Sequence, residues 1–280
     1  MGFRNILLML LAVCNSVSCN STNESIKIKG SDTEVNLSVQ LAEAFHVEQQ
    51  SILISISGGG SGLGIASLLN GTADIANSSR RMKLTELELF NKENIQIDSF
   101  IFAQDAIAFV VSTEIPIDSI TIETLKKILS GSINNWNEIT SVNKKINIYG
   151  RQSNSGTHEF IKDKLNIEFS DKAKEMNGNA QILEAIKYDH SGIGYVGAGY
   201  VSRQKNSNLK VLCIKENDSA KSVSPLDAVQ IANKNYYFQR PLYQYYKKSS
   251  FEKIKELLAF EQNLIGMNII QEAGYYPVNK

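Results

Sequence analysis

Residues 150–160, GRQSNSGTHEF, oblige the backbone to change state within one short stretch. The alternating apolar residues 146–149 before them read as a strand, and the Ser-Gly-Thr turn opens a helix. A helix start leaves N–H groups unpaired and carries the positive end of the helix dipole, so it can seat an anion. Gly156 lets a ligand approach the backbone, Ser155 and Thr157 each offer a hydroxyl, and Arg151 can grip a tetrahedral oxyanion through parallel N–H groups. Taken singly, the same residues would also suit an ordinary capped helix with a surface arginine. Recurrence of the pattern decides between the two.

It recurs at three earlier strand ends. Ser31, Asp32, Thr33 and Glu34 open a helix after an apolar run at 26–29; Ser31 and Glu34 have capping-box spacing, and Thr33 adds a hydroxyl beside the N–H cluster. Residues 58–64, GGGSGLG, surround Ser61 with glycines whose conformational entropy makes a bare turn a poor explanation and close approach to a ligand a better one. Residues 74–81, DIANSSRR, end a third short strand with Ser79 and Arg80. Hydroxyls, glycines and arginines at four strand ends are how an α/β fold binds a small anion in the crevice outside its strand termini.

Apolar runs alternate with helical stripes along the whole chain, which is the mark of α/β architecture. Strands are expected at 26–29, 52–56, 73–76, 193–196 and 209–214, and helices at the stripes Leu37, Leu41, Ala44, Phe45 and Ile122, Leu125, Ile128, Leu129. Further helices fit residues 182–186, the stripe Phe251, Ile254, Leu257, Leu258, and residues 262–272, stopped by Gly274 and Pro277. Residues 97–111 form a nearly unbroken apolar run suited to a strand that passes from one lobe to another. A second extended crossing is expected at 236–246, with Pro241 at an edge or bend.

Composition narrows the partners. Lys+Arg and Asp+Glu both number 29, so no global field draws in nucleic acid or an anionic membrane surface, and any bound anion must be held locally. The 280 residues favour two lobes. At the N-terminus, Arg4, an apolar core at 6–13 too short to span a bilayer, and Ser18 before Cys19 form a targeting segment. Cysteine after such a core resembles a bacterial lipoprotein signal, with Cys19 the lipid-bearing first residue and 20–25 a polar tether. Cys213 then stands alone in the mature chain and reads as a buried strand residue.

The motifs GSDT, GGGSGLG, ADIANSSRRMK, GRQSNSGTHEF and SGIGYVGAGY, in this order, together with KKILSGS and the following Asn135-Trp136, resemble the phosphate-binding protein of bacterial phosphate ABC importers. That resemblance runs from about residue 26 to the C-terminus. It implies a type II periplasmic-binding-protein fold, two α/β lobes joined by two hinge crossings: signal and lipobox 1–19, tether 20–25, lobe I at 26–105 and 241–280, lobe II at 106–240. It carries ligand roles to Thr33, Ser61, Ser79, Arg151, Ser155, Gly156 and Thr157, with Ser31, Asp32 and Arg80 as second choices. It further implies a monomeric, cofactor-free receptor, lipid-anchored on the extracytoplasmic side of the bacterial cell envelope, that hands phosphate to membrane permease subunits. In well-known members an aspartate stands where this chain has Ser79 and accepts the proton on phosphate, so Asp32 is the expected substitute. Sulfate or molybdate is the alternative ligand.

Other signals point elsewhere only weakly. Residues 192–197 satisfy GxGxxG, but Tyr195 and Val196 continue a strand where a dinucleotide site needs a helix. His46, His158 and His190 lack metal-ligand spacing. His158 adjoins Thr157 and would reach an anion if it were not on a helix surface. A phosphoester hydrolase is the distant reading: Leu63 breaks the GxSxG elbow around Ser61, and His158 with Ser155 is the one local base and nucleophile pair.

Overall fold

The computed structural model describes residues 24–202 and 208–278. The signal segment with Cys19 and most of the tether lie outside the described residues. Three parallel strands begin the chain: β1 (Glu24–Gly30), β2 (Ile52–Ser57) and β3 (Ile75–Ser78), with β1 in the middle. The expected tether ends earlier than 25, because Glu24 and Ser25 already pair with Ile52 and Leu53. The helices α1 (Val35–Glu48), α2 (Ser61–Leu69) and α3 (Leu84–Lys92) follow these strands in turn. Leu37, Leu41 and Phe45 of the expected stripe are buried, and α3, whose apolar residues other than Phe90 stay largely exposed, has little stripe to read.

β4 (Ile97–Ser112) is the first crossing. Its residues from Ile97 to Ala106 pair with β10 (Gln239–Lys247), and from Ile107 onward they pair with β8 (Gly192–Gly197) and β9 (Leu209–Lys215). The change of partner between Ala106 and Ile107 is where the chain leaves one sheet for the other. The return comes after Phe238, whose carbonyl accepts from Ile107 N at 3.1 Å. Pro241 sits where β10 pairs with β4 alone, since its pairing with β3 begins only at Tyr243, so the missing N–H costs no ladder bond.

The second sheet adds β5 (Ser119–Thr121), β6 (Asn147–Arg151) and β7 (Lys174–Met176), running β7-β6-β8-β4-β9-β5. It carries α4 (Ile122–Leu129), α5 (Gly156–Leu165), α6 (Asn179–Tyr188) and α7 (Ala228–Ala232). α8 (Phe251–Gln262), α9 (Leu264–Glu272) and β11 (Tyr276–Pro277) close the first lobe. Alternation along β4 splits the second core: Ile107, Phe109 and Val111 pack with Trp136 and Tyr195 on one face, Ala108 and Val110 with Ile182 and Ile186 on the other. The fold is therefore α/β, with two lobes joined by two crossings. Cys213 lies in β9 half-buried rather than fully buried, because β9 faces β4 on one side and only the short β5 on the other.

One expectation fails at the first helix. Ser31 makes no side-chain cap, the chain turns through a 3₁₀ segment (Asp32–Glu34), and Glu34 is fully buried with neither carboxyl oxygen hydrogen-bonded. A capping box needs Glu34 at the helix surface, and here the turn rotates it into the lobe. Burial pushes its carboxyl well above the ordinary range. Glu261 on α8 is likewise buried, accepts from Gln244 Nε2 at 3.1 Å, and is pushed up to about 8 by burial. Burial holds protons on both acids that the unfolded chain releases above the ordinary value of 4.5, so stability falls as pH climbs from there, in the case of Glu261 up to about 8. Urea unfolding should show a loss of up to about 1.4 kcal/mol per pH unit for each such group. Glu261→Gln should remove its share of that slope and leave the share of Glu34; an unchanged slope would show that Glu261 is ionised in the folded protein.

Candidate functional site

The four strand ends named above meet between the lobes. β1 ends at Gly30, and the 3₁₀ turn that follows sets Thr33 into the interior. The glycine loop turns through Gly59 and Gly60 at φ of +119° and +103°, conformations that only glycine adopts without strain, and starts α2 with Ser61. Ser61 Oγ accepts from Ser79 N at 3.1 Å and lies 3.5 Å from Ser79 Oγ, so the second and third strand ends present their hydroxyls together.

Lobe II meets them with the start of α5. Ser155 caps that helix: its Oγ accepts from Thr157 N at 3.2 Å and His158 N at 3.5 Å. Its oxygen serves the helix and its own hydrogen stays available to another acceptor, while Gly156 and Thr157 make the contacts to lobe I. A Cβ on Gly156 would collide with Ser61 Oγ and stand 2.6 Å from Ser79 Oγ, so glycine is what lets the helix start approach the two serines. Thr157 Oγ1 lies 3.1 Å from Thr33 Oγ1, one hydroxyl from each lobe. Asn154 completes the contact, accepting from Gly62 N at 3.2 Å and donating to Gly59 O at 3.1 Å.

Arg151 ends β6 and is 1% exposed. Its Nη1 donates to Asp32 Oδ2 of lobe I at 3.3 Å, Nη2 to Asn177 O at 2.9 Å and Nε to Met176 O at 3.3 Å. Burial pulls this guanidinium below its ordinary value, and the charge of Asp32 works against that pull. Asp32 Oδ2 also accepts from Asn179 N and Nδ2, both at 2.8 Å. Asp32 is thus the counter-ion of Arg151, and the oxygen facing lobe II is already saturated with donors. Ser31, the other second choice in this loop, is buried and gives its N–H to Asn77 O at 2.9 Å.

Arg80 goes to a different task. Its Nη1 and Nη2 fork onto Glu86 at 2.8 and 2.7 Å, and its Nε lies 2.8 Å from Oε2 of Glu159, which belongs to lobe II. Lys83 pairs with the same Glu159. These charges stand at a cavity of about 540 Å³ that Ser79, Phe160 and Arg240 also line. His158 turns away from the anion side: its ring lies 4.4 Å from that of Phe169, and burial lowers its pKa. Among the described residues no acid or base side chain is hydrogen-bonded to Ser155 Oγ, which accepts from the start of its own helix. Residues 192–197 form β8 throughout, buried in the sheet.

Two residues that the strand-end pattern did not reveal complete the site. Arg240 on β10 stands opposite Asp105 on β4, and each is 1% exposed. Arg240 Nε and Nη2 donate to Asp105 Oδ2 at 3.0 and 2.9 Å, while Nη2 also reaches Thr157 Oγ1 at 3.0 Å and Thr33 Oγ1 at 3.3 Å. Burial pushes the Asp105 carboxyl up although Arg240 draws it back. The signal was a charge inside each of the two crossings, Asp105 among mostly apolar residues in one and Arg240 in the other, since a charge buried in such a run needs a partner.

The family model of the PBP superfamily domain matches residues 16–261 of this chain. The phosphate-binding protein PstS of Borreliella burgdorferi is 28% identical over 284 residues, which cover 98% of this chain and 98% of that one. Among solved structures, a candidate phosphate ABC transporter substrate-binding protein with bound phosphate from Clostridium perfringens superposes with a TM-score of 0.80 at 22% identity, covering 91% of this chain and all (100%) of the other. An ABC-type phosphate transport receptor from Vibrio cholerae gives 0.70 at 24% identity, with 90% and 100% covered. Both structures share the fold. Two lobes, two crossings and a cleft lined by strand-end donors agree with the match along most of the sequence: the chain belongs to the PBP superfamily.

Proposed function

We propose that this protein is an extracytoplasmic receptor, not an enzyme, that captures inorganic phosphate between its lobes and delivers it to the permease subunits of an ABC importer. The observation that carries the reading is the meeting of Thr33, Ser61 and Ser79 from lobe I with Gly156 and Thr157 from lobe II at one buried point. Hydroxyls and helix-start N–H groups hold a small oxyanion by many short hydrogen bonds, and the buried arginines carry counter-aspartates, so the cleft is not a strong cation without its ligand. The proteins it resembles in sequence and fold are named for phosphate. Lipid attachment at Cys19, a monomeric state and a place on the outer side of the membrane belong to the same reading.

Capture follows a hinged trap. Each lobe supplies part of the donor set, so an anion bound to one lobe draws the other onto it, and closure removes water from both. Glu159 adds a clasp, because its carboxylate reaches Arg80 and Lys83 across the cleft only when the lobes are together. Delivery then depends on the permease recognising the closed shape.

A second oxyanion is favoured by one specific observation. Ser79 stands where well-known phosphate receptors have an acceptor, and Asp32 Oδ2 is saturated by Arg151 and Asn179. A site with serine in place of that carboxylate does not penalise sulfate as strongly as one that has it.

Calorimetric titration of the ligand-stripped protein at neutral pH tests the reading: phosphate should bind tightly and sulfate at least about 10-fold more weakly. Heat with sulfate alone would make this a sulfate receptor, and silence toward both would end the oxyanion reading. Gly156→Ala should weaken phosphate binding by roughly 5- to 100-fold through steric obstruction of closure, with thermal unfolding nearly unchanged. Glu159→Gln should leave the anion contacts in place yet raise the dissociation rate about 5- to 30-fold, and stopped-flow release should show less sensitivity to salt than in wild type.

A further inference from the structure

Resting on the oxyanion reading of the cleft, we propose that Arg240 is an anion-binding residue carried by the hinge: Nη1 donates to the bound oxyanion, and Nη2 fixes the Thr33 and Thr157 hydroxyls as donors to it. An arginine paired across two crossings would be explained by the hinge alone if its guanidinium were satisfied there. It is not. Asp105 takes only Nε and Nη2, and Nη1 is buried with no hydrogen-bond partner among the described residues. A buried guanidinium nitrogen is a strong donor that has lost its water, and an interior that leaves it unmet is costly unless a ligand supplies the acceptor. The guanidinium lies beside Thr33 and Thr157, the hydroxyl pair at which the lobes meet.

The threonines give the second half of the role. Guanidinium N–H groups only donate: one N–H of Nη2 meets Asp105 and the other is shared between the two threonine oxygens, so each threonine keeps its own hydrogen. One of those hydrogens can serve the other threonine across 3.1 Å, and an anion oxygen facing both hydroxyls would take the two. That side of the cleft therefore favours oxygens without protons. A proton on the ligand is better met on the Ser61 and Ser79 side, whose hydroxyls no guanidinium holds.

Position makes the residue a reporter as well as a ligand. Arg240 belongs to the pairing of the crossings, opposite Asp105, while its contacts go to Thr33 in lobe I and Thr157 in lobe II. Its ring contact is with Phe160 on α5, 5.5 Å away. The charge of the anion is thus felt at the hinge itself, which ties binding to the angle between the lobes.

The test uses the whole mature chain with inorganic phosphate. Affinity is read by calorimetry, fold by the ligand-free melting temperature, and closure by small-angle scattering with and without phosphate. Arg240→Gln should weaken phosphate about 10- to 100-fold and reduce the contraction on binding. Thr157→Val should lose part of the same affinity, and combining it with Arg240→Gln should cost less than the two separate losses together, because both remove one shared contact. A hinge pair without a ligand role predicts additive losses that follow the melting temperature. Should Arg240→Gln fail to fold, Arg240→Lys decides: a single ammonium cannot serve Asp105, both threonines and the anion, so affinity should fall several-fold at an unchanged melting temperature. Wild-type affinity in either variant, or additive losses, overturns the proposal. A wild-type protein silent toward phosphate and sulfate alike overturns the reading of the site and this proposal with it, whereas binding in wild type with no effect at position 240 overturns the proposal alone.

Discussion

Two buried arginines, each held by an aspartate from a distant part of the chain, set the terms on which the cleft exists. Arg151 of lobe II is tied to Asp32 of lobe I, and Arg240 of the second crossing to Asp105 of the first. A guanidinium taken out of water without a partner would be prohibitive, and one matched by a carboxylate is nearly neutral. The cleft can therefore be dry and rich in donors without being a standing positive charge. Affinity for a doubly charged oxyanion then rests on oriented hydroxyls and N–H groups, whose number and direction discriminate where bare charge does not.

These ion pairs also explain why the site is split as it is. The Arg151 and Asp32 contact runs between lobes, as do Glu159 with Arg80 and Thr33 with Thr157. The Arg240 and Asp105 pair instead lies within the crossings, on residues that face each other in the strand pairing. Contacts of the first kind depend on the lobes being together, while the second depends only on the register of the crossing strands. A receptor needs that division, since a ligand can shift a two-state equilibrium only through contacts that differ between the states.

Much of this architecture was legible because it is local. A strand end, a glycine turn and a helix start are contiguous in sequence, so Thr33, Ser61, Ser79, Gly156 and Thr157 could be named from their neighbours. The crossings were legible too, from a 16-residue strand at Ile97–Ser112 and from Pro241. Legibility stopped where register decides. Arg240 and Asp105 are 135 residues apart, and nothing in either run states that they face each other. Glu34 fails for the opposite reason: Ser31 and Glu34 have the spacing of a capping box, yet a 3₁₀ start turns the acid inward. Arg80 shows that proximity in sequence to a cleft serine does not direct a side chain, because Glu86 and Glu159 offer it fixed partners.

The substitution of serine at position 79 becomes intelligible from the same ledger of donors. An aspartate there would set a third carboxylate beside a cleft already supplied by Asp32 and Asp105, and its charge would work against the anion unless a proton on the ligand met it. Ser79 removes that repulsion; its backbone N–H is fixed by Ser61 Oγ at 3.1 Å, and its hydroxyl, 3.5 Å from the same oxygen, can turn to donate or accept. Discrimination then passes from a single unforgiving acceptor to the polarity of hydroxyl pairs, one pair locked as donors by Arg240 and the other adaptable. Such a cleft would trade some rejection of unprotonated anions for tolerance of either protonation state of phosphate.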